Sequence, residues 1–214
     1  AILNYLCTYT VTFLLPFYLI HSRHMGPAQA GAMLTAQPLV MAVAAPFSGT
    51  LSDRLGPRLL ATPGMVIMSI GLWILSRLGS DSPFWHVTVG LAVIGLGTGM
   101  FISPNNSALL GAAPAGRRGI ASGVLATARS LGMVMGIGLA GAILTTAHAR
   151  STDQTTGTVV GVHWGFLTAA ALALLGALTS AVRGEKPEVR SDPPSAGHLE
   201  PGPAARAART RNRT

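Results

Sequence analysis

Gly49-Thr50-Leu51-Ser52-Asp53-Arg54-Leu55-Gly56-Pro57-Arg58 is a short charged stretch between two long apolar runs. Charge is scarce elsewhere: Asp, Glu, Lys and Arg make up 10% of the 214 residues. Three charges, Asp53, Arg54 and Arg58, nonetheless crowd into these few positions. Gly49 and Gly56 allow tight backbone turns that a Cβ resists. Asp53 is suited to a helix end, and the arginines to carboxylates or lipid phosphates. A charged, glycine-flanked turn between apolar runs of this length predicts a connection between two membrane-crossing helices.

The runs themselves support this. A span needs about 20 apolar residues, and the sequence predicts six: residues 2–20, 28–48, 59–78, 85–110, 120–147 and 163–182. Only helices and closed barrels satisfy their backbone in lipid. These runs are too long and too little alternating for barrel strands. The fold class is therefore all-α, a polytopic six-helix bundle over residues 1–182. Residues 183–214, rich in Pro, Ala and Arg, cannot bury enough apolar surface to order themselves and predict a disordered basic tail. The net charge of +8 lies mostly in loops and tail, which argues for a bilayer and against nucleic acid as its partner. One cysteine, Cys7, excludes an intramolecular disulfide. The chain opens on Ala1 with an apolar run and no charged leader, which suggests a fragment cut within or just before a span.

Positive charge sets the expected orientation. Arg54, Arg58, Arg117 and Arg118 fall after the second and fourth spans, against Arg23, Arg77 and Arg150 in the other loops. The tail adds seven more. The positive-inside rule then puts both termini in the cytoplasm of a cell-membrane protein.

The order of motifs resembles a known family. The pattern G-x-L-x-D-R-x-G-x-R over Gly49–Arg58 is similar to the cytoplasmic loop signature of the major facilitator superfamily. Leu15-Pro16-Phe17-Tyr18-Leu19, Gln37-Pro38, Pro46, Gly95-x-Gly97-x-Gly99 with Pro104, and Arg129 followed by Gly132 and Gly136 resemble the C-terminal half of 14-span drug:proton antiporters of the EmrB/QacA type. The resemblance covers roughly residues 1–182. It implies one half of a proton-driven exporter of amphipathic compounds, with multidrug efflux as its role and a missing N-terminal half as its partner. Small-molecule substrate and protons would be its other partners. Uptake of a small nutrient on the same fold, and a non-transporting truncated membrane partner, remain alternatives.

Candidate residues follow from physical rules. Gly95/Gly99 and Gly132/Gly136, each four apart, suit close helix contacts in lipid. Pro38, Pro46 and Pro104 remove backbone donors and favour bends. Arg129 sits about 10 residues into its span, about 15 Å at helical rise. A charge there costs about 2.5–3.5 kcal/mol and usually faces the bundle interior with a partner. No Asp or Glu lies within any span, so a carboxylate partner would come from the absent half, with backbone carbonyls as the alternative. The same absence leaves the proton-coupling acid outside this chain. Gln37 and Tyr9, near mid-depth, are candidates to line a pathway with Arg129. Asn105 and Asn106 suit the cytoplasmic end of the fourth span. His86 and His163 are expected to begin spans, and His21 and His24 to be solvated rather than metal-binding. No cofactor and no metal site is expected. A membrane-embedded enzyme would need a mid-depth nucleophile and base or clustered ligands; the spans carry neither.

Overall fold

The computed structural model describes residues 1–182, apart from the side chains of Asp53, Pro57, Arg58, Ala115 and Val182. The expected disordered tail, residues 183–214, lies outside the described residues. The fold is all-α. Its helices are α1 (Ile2–Phe17), α2 (Pro27–Leu34), α3 (Ala36–Leu55), α4 (Pro57–Ser76), α5 (Phe84–Ala112), α6 (Arg118–Arg150) and α7 (Gln154–Val182). Six segments are long and apolar enough to cross a membrane, with α2 and α3 together forming the second.

Prolines and caps explain the departures from simple spans. Pro38 lacks an N–H for the Leu34 carbonyl, and its ring crowds that carbonyl. The helix accordingly breaks at Thr35, whose hydroxyl donates to the Ala32 carbonyl at 2.6 Å. Pro46, Pro63 and Pro104 sit inside continuous helices. After Pro16 the first span ends in a wide π-type turn, Tyr18–Ser22, closed by the Arg23 N–H on the Tyr18 carbonyl.

Two boundaries differ from the sequence expectation. The second span was expected to stop at residue 48, but α3 runs on to Leu55 and α4 begins at Pro57. The charged stretch is thus helical, with Gly56 as its single linking residue. The sixth span was expected from residue 163, but α7 begins at Gln154. Asp153 caps it, accepting the Thr156 N–H at 3.0 Å. Neutral residues of low hydropathy in the first turns hide that start. His163 therefore lies inside α7, donating from Nδ1 to the Ser76 carbonyl at 2.7 Å.

α5 packs along α4 on one side and α3 on the other; α4 packs on α7, and α1 on α6 and α7. The core gathers Leu14, Leu15, Tyr18, Leu72, Ile94 and Phe166, all fully buried. Small hydroxyls tie helices together through backbone carbonyls, as with Ser69 on Ala170 at 2.9 Å. Such bonds and close contacts replace the hydrophobic drive that lipid does not supply.

The bundle has two distinct ends. At the Gly79 end, Tyr18 donates to the Gly79 carbonyl at 2.7 Å, and Arg23 donates to the Ser80 carbonyl. The Arg23 guanidinium also lies 4.9 Å from the centre of the Phe84 ring. At the opposite, Gly56 end, the α3–α4 and α5–α6 turns sit with the last turn of α7.

Candidate functional site

The charged turn is built around Gly56. Its φ of +89° and ψ of 149° lie in a region that essentially only glycine adopts. That conformation lets α4 start at once, with Pro57 at its first position, where the missing N–H costs nothing. Arg54 is exposed in the last turn of α3. The side chains of Asp53 and Arg58 lie outside the described ones. A Cβ on Gly49 would stand 3.0 Å from the Ser103 hydroxyl of α5, so the stretch is pressed against that helix.

The two glycine pairs lie at helix crossings. A Cβ on Gly99 would be 3.0 Å from the Ala44 Cβ, and Gly95 abuts the Gln37 carbonyl of α3. A Cβ on Gly132 would be 2.6 Å from the Tyr5 Cβ and 2.8 Å from the Ile2 carbonyl, and Gly136 abuts the Leu6 carbonyl of α1. Pro104 is buried in α5, whereas Pro38 and Pro46 are exposed on α3.

Arg129 lies one turn before Gly132. It is exposed, and its guanidinium carbon stands 5.5 Å from the centre of the Tyr5 ring. A cation over an aromatic face is attracted to the ring quadrupole. Depth can be read across the bundle. Asn4 donates to the sulfurs of Met65 and Met68 at 3.5 and 3.3 Å. Those methionines occupy the middle of α4, so Tyr5 and Arg129 are level with it. Among the described residues Arg129 has no carboxylate partner. Asp81 lies in the α4–α5 turn, and Asp153 caps α7, its carboxyl held below the usual range by hydrogen bonds from Thr156.

The three expected pathway residues do not come together. Tyr9 is half-buried one turn beyond Tyr5, on the α1 side. Gln37 is only 8% exposed, in the separate seam between α3 and α5.

Tyr5 and Asn4 had not been singled out from the sequence. Asn4 is fully buried, and its Oδ1 has no hydrogen-bond partner. The signal available was a polar residue in an apolar run, but its burial depends on which face of α1 meets α4. Asn4 lines a cavity of about 920 Å³ toward the Gly56 end, with Met65, Phe101, Asn105, Ala128 and Ser180. The cavity wall thus reaches the residue next to Arg129. Asn106 Oδ1 is buried nearby in sequence without a partner.

Comparison with known proteins gives the family. The family model described as the Major Facilitator Superfamily matches residues 1–213. The chain belongs to the major facilitator superfamily. Among curated transporters it is 34% identical over 169 residues to the riboflavin transporter RibZ of Clostridioides difficile, covering 78% of this chain and 37% of that protein. It is 34% identical over 177 residues to the uncharacterized transporter YebQ of Escherichia coli, covering 83% of this chain and 36% of that one. It is 29% identical over 132 residues to the tetracenomycin C resistance and export protein of Streptomyces glaucescens, covering 62% of this chain and 24% of that protein. The chain thus spans little more than a third of the length of the first two relatives. Its six long apolar segments form a helical bundle of the kind that makes up one half of that family's fold.

Proposed function

We propose that this chain is the C-terminal half bundle of a proton-coupled exporter of amphipathic small molecules, of the 14-span antiporter type. The observation that carries the reading is Arg129: a guanidinium level with the middle of α4, exposed on α6, and without a carboxylate among the described residues. A charge at this depth usually marks a substrate or proton pathway. Its likeness to a tetracenomycin C export protein supports outward transport.

The partner half would cover the two most exposed spans. Only 17% of the second span's apolar window and 28% of the fifth span's are buried, against 44–56% for the other four. Small side chains on α3, Pro38, Ala42 and Pro46, line one side of the exposed surface, and helices in lipid meet through such residues. Alternating access would then rock one bundle against the other about a midplane site. Glycine pairs and prolines would act as sliding contacts and hinges, and Asp53, Arg54 and Arg58 as a conformational latch.

The test is reconstitution. Vesicles holding the full-length transporter should move a cationic dye in response to a proton gradient, and vesicles holding residues 1–214 alone should not. Movement by the 214-residue chain, or none by the full-length protein with any amphipathic dye, contradicts the reading. Orientation is tested separately. Cysteine at Gly116 should be shielded from an impermeant thiol reagent in intact cells and cysteine at Ser82 should react; the reverse pattern refutes cytoplasmic termini. Buried Cys7 gives little background. A second reading, nutrient uptake, is favoured by the likeness to a riboflavin transporter. Substrate accumulation inside cells, rather than depletion, would select it.

A further inference from the structure

Helices α4 and α7 lie side by side in a fixed register. Ser69 donates to the Ala170 carbonyl at 2.9 Å, and His163 to the Ser76 carbonyl at 2.7 Å. These contacts are seven residues apart on both helices, so the two run antiparallel in step. Thr62 meets Ser180 at 3.2 Å, and α7 therefore ends level with the first turn of α4. Yet α4 has 20 residues and α7 has 29. The nine extra residues, 154–162, stand beyond the end of α4, by about 13 Å at helical rise. They pair with the last turns of α6. Gly157 abuts His148, Gly161 abuts Leu144, and His148 Nε2 donates to the Thr158 hydroxyl at 3.0 Å.

All three tryptophans of the chain fall near that same end of α4. Trp73 comes three residues before Ser76, and Trp164 follows His163 and so stands beside Ser76. Gly90 abuts the Leu75 side chain, and Trp85, five residues nearer the start of α5, is level with the α4–α5 turn. The three positions thus lie within about 7 Å along the bundle, although they come from three helices. Trp73, Trp85 and Trp164 are 49, 63 and 56% exposed. The Arg77 guanidinium lies 4.9 Å from the centre of the Trp73 ring. Tryptophan joins an apolar ring to an N–H donor, and it gathers where acyl chains meet headgroups. That layer is about 5–7 Å thick on each side of a 30 Å core, which matches the spread of the tryptophans. The length of α4, about 30 Å, equals the core. With the tryptophans in the headgroup layer at one end, the core ends at the Gly56 turn, where Arg54 is exposed.

We propose that Trp73, Trp85 and Trp164 lie in the phospholipid headgroup layer on the Gly79 side, and that the paired ends of α6 and α7 stand in water beyond it. The embedded part of α7 then begins at His163. The extra residues before it open with the polar sequence Gln154-Thr155-Thr156-Gly157-Thr158, and Arg150 and Asp153 flank the tip, clear of the hydrocarbon. Lipid rather than protein meets the three rings, because the most exposed spans are those of α3 and α6, and no tryptophan lies on either. The placement holds whatever cargo the transporter moves and whichever side faces the cytoplasm.

Bromine quenching in vesicles tests the level of the rings. The 214-residue chain has three tryptophans, so variants that keep one and replace the other two by phenylalanine each report a single ring. Phosphatidylcholine brominated beside the ester group should quench each ring about twofold more than phosphatidylcholine brominated near the chain end, because the rings lie outside the core. Equal or stronger quenching by the chain-end bromines at any of the three overturns the proposal, and so does absence of quenching by both. Spin labels test the hairpin in the full-length transporter. A label on Val160→Cys, at a position 38% exposed, should be reached by a water-soluble nickel complex. A label on Leu174→Cys, at a position 47% exposed, should be reached by dissolved oxygen instead. A Val160 label reached by oxygen rather than nickel would put the hairpin in lipid, and one reached by neither would put it inside protein. Either result overturns the proposal.

Discussion

The α1–α6 and α3–α5 crossings use the same device. In each, the later helix brings two glycines four residues apart against the backbone of the earlier one. In each, a hydroxyl of the earlier helix bonds the carbonyl of the second glycine: Thr10 reaches Gly136 at 3.3 Å, and Ser48 reaches Gly99 at 2.9 Å. They differ three residues before the first glycine. That position is Ala92 in α5 and Arg129 in α6. The α3–α5 crossing shows that the joint itself needs no charge. The glycine joint alone therefore does not call for the arginine, which accords with the pathway role proposed for it.

Breaking the two joints should give unequal effects. Gly132→Ala drives a Cβ into the Tyr5 Cβ and the Ile2 carbonyl, so the α1 and α6 backbones must part. Overpacking of this kind costs about 1–3 kcal/mol, and the melting temperature of the purified chain should fall accordingly. Gly56→Ala comes next: it forces a Cβ into the glycine-only region at a cost of order 1–3 kcal/mol, read in the same melt. A Cβ at Gly99 would stand 3.0 Å from the Ala44 methyl and 3.1 Å from the Met41 carbonyl, looser than at Gly132, so Gly99→Ala should destabilise less than either. Equal losses at Gly99 and Gly132 would mean that the two crossings are not graded by backbone proximity.

The smallest effect is expected at the α7 start. Asp153 has its pKa lowered in the folded chain, so its stabilising contribution is present above the unfolded value and is lost as pH falls through the folded one. Asp153→Ala should lower the melting temperature slightly at neutral pH, and the difference from wild type should vanish in acid. A difference that persists there would argue against the cap.

The apolar runs made the six spans and the all-α class legible, because lipid leaves an unbroken apolar chain few other structures. What escaped was set by neighbours. The charged residues after Ser48 look like a loop, yet a helix can carry them in its last turn when that turn reaches the headgroups. Gln154 to Val162 is too weakly apolar to announce a span, yet Asp153 caps a helix there. The glycine spacing was readable; which helix each pair meets was not. Arg129 stood out as a lone charge, but its neighbour Tyr5 is fixed only by the rotation of α1 against α6. Gln37 had the right depth and the wrong seam, because depth along a helix says nothing about direction around it.

The most direct test of Arg129's role is the pH profile of transport in the full-length protein, comparing wild type, Arg129→Ala and Arg129→Lys at equal membrane expression. A fixed positive charge lowers the pKa of a carboxylate beside it. Its removal should therefore raise that acid's apparent pKa and move the transport profile of Arg129→Ala to higher pH, by about one unit or more. Arg129→Lys should fall between, keeping the charge but losing the planar fork. Three coincident profiles would contradict the account, and loss of membrane expression in Arg129→Ala alone would instead assign the arginine to holding helices together.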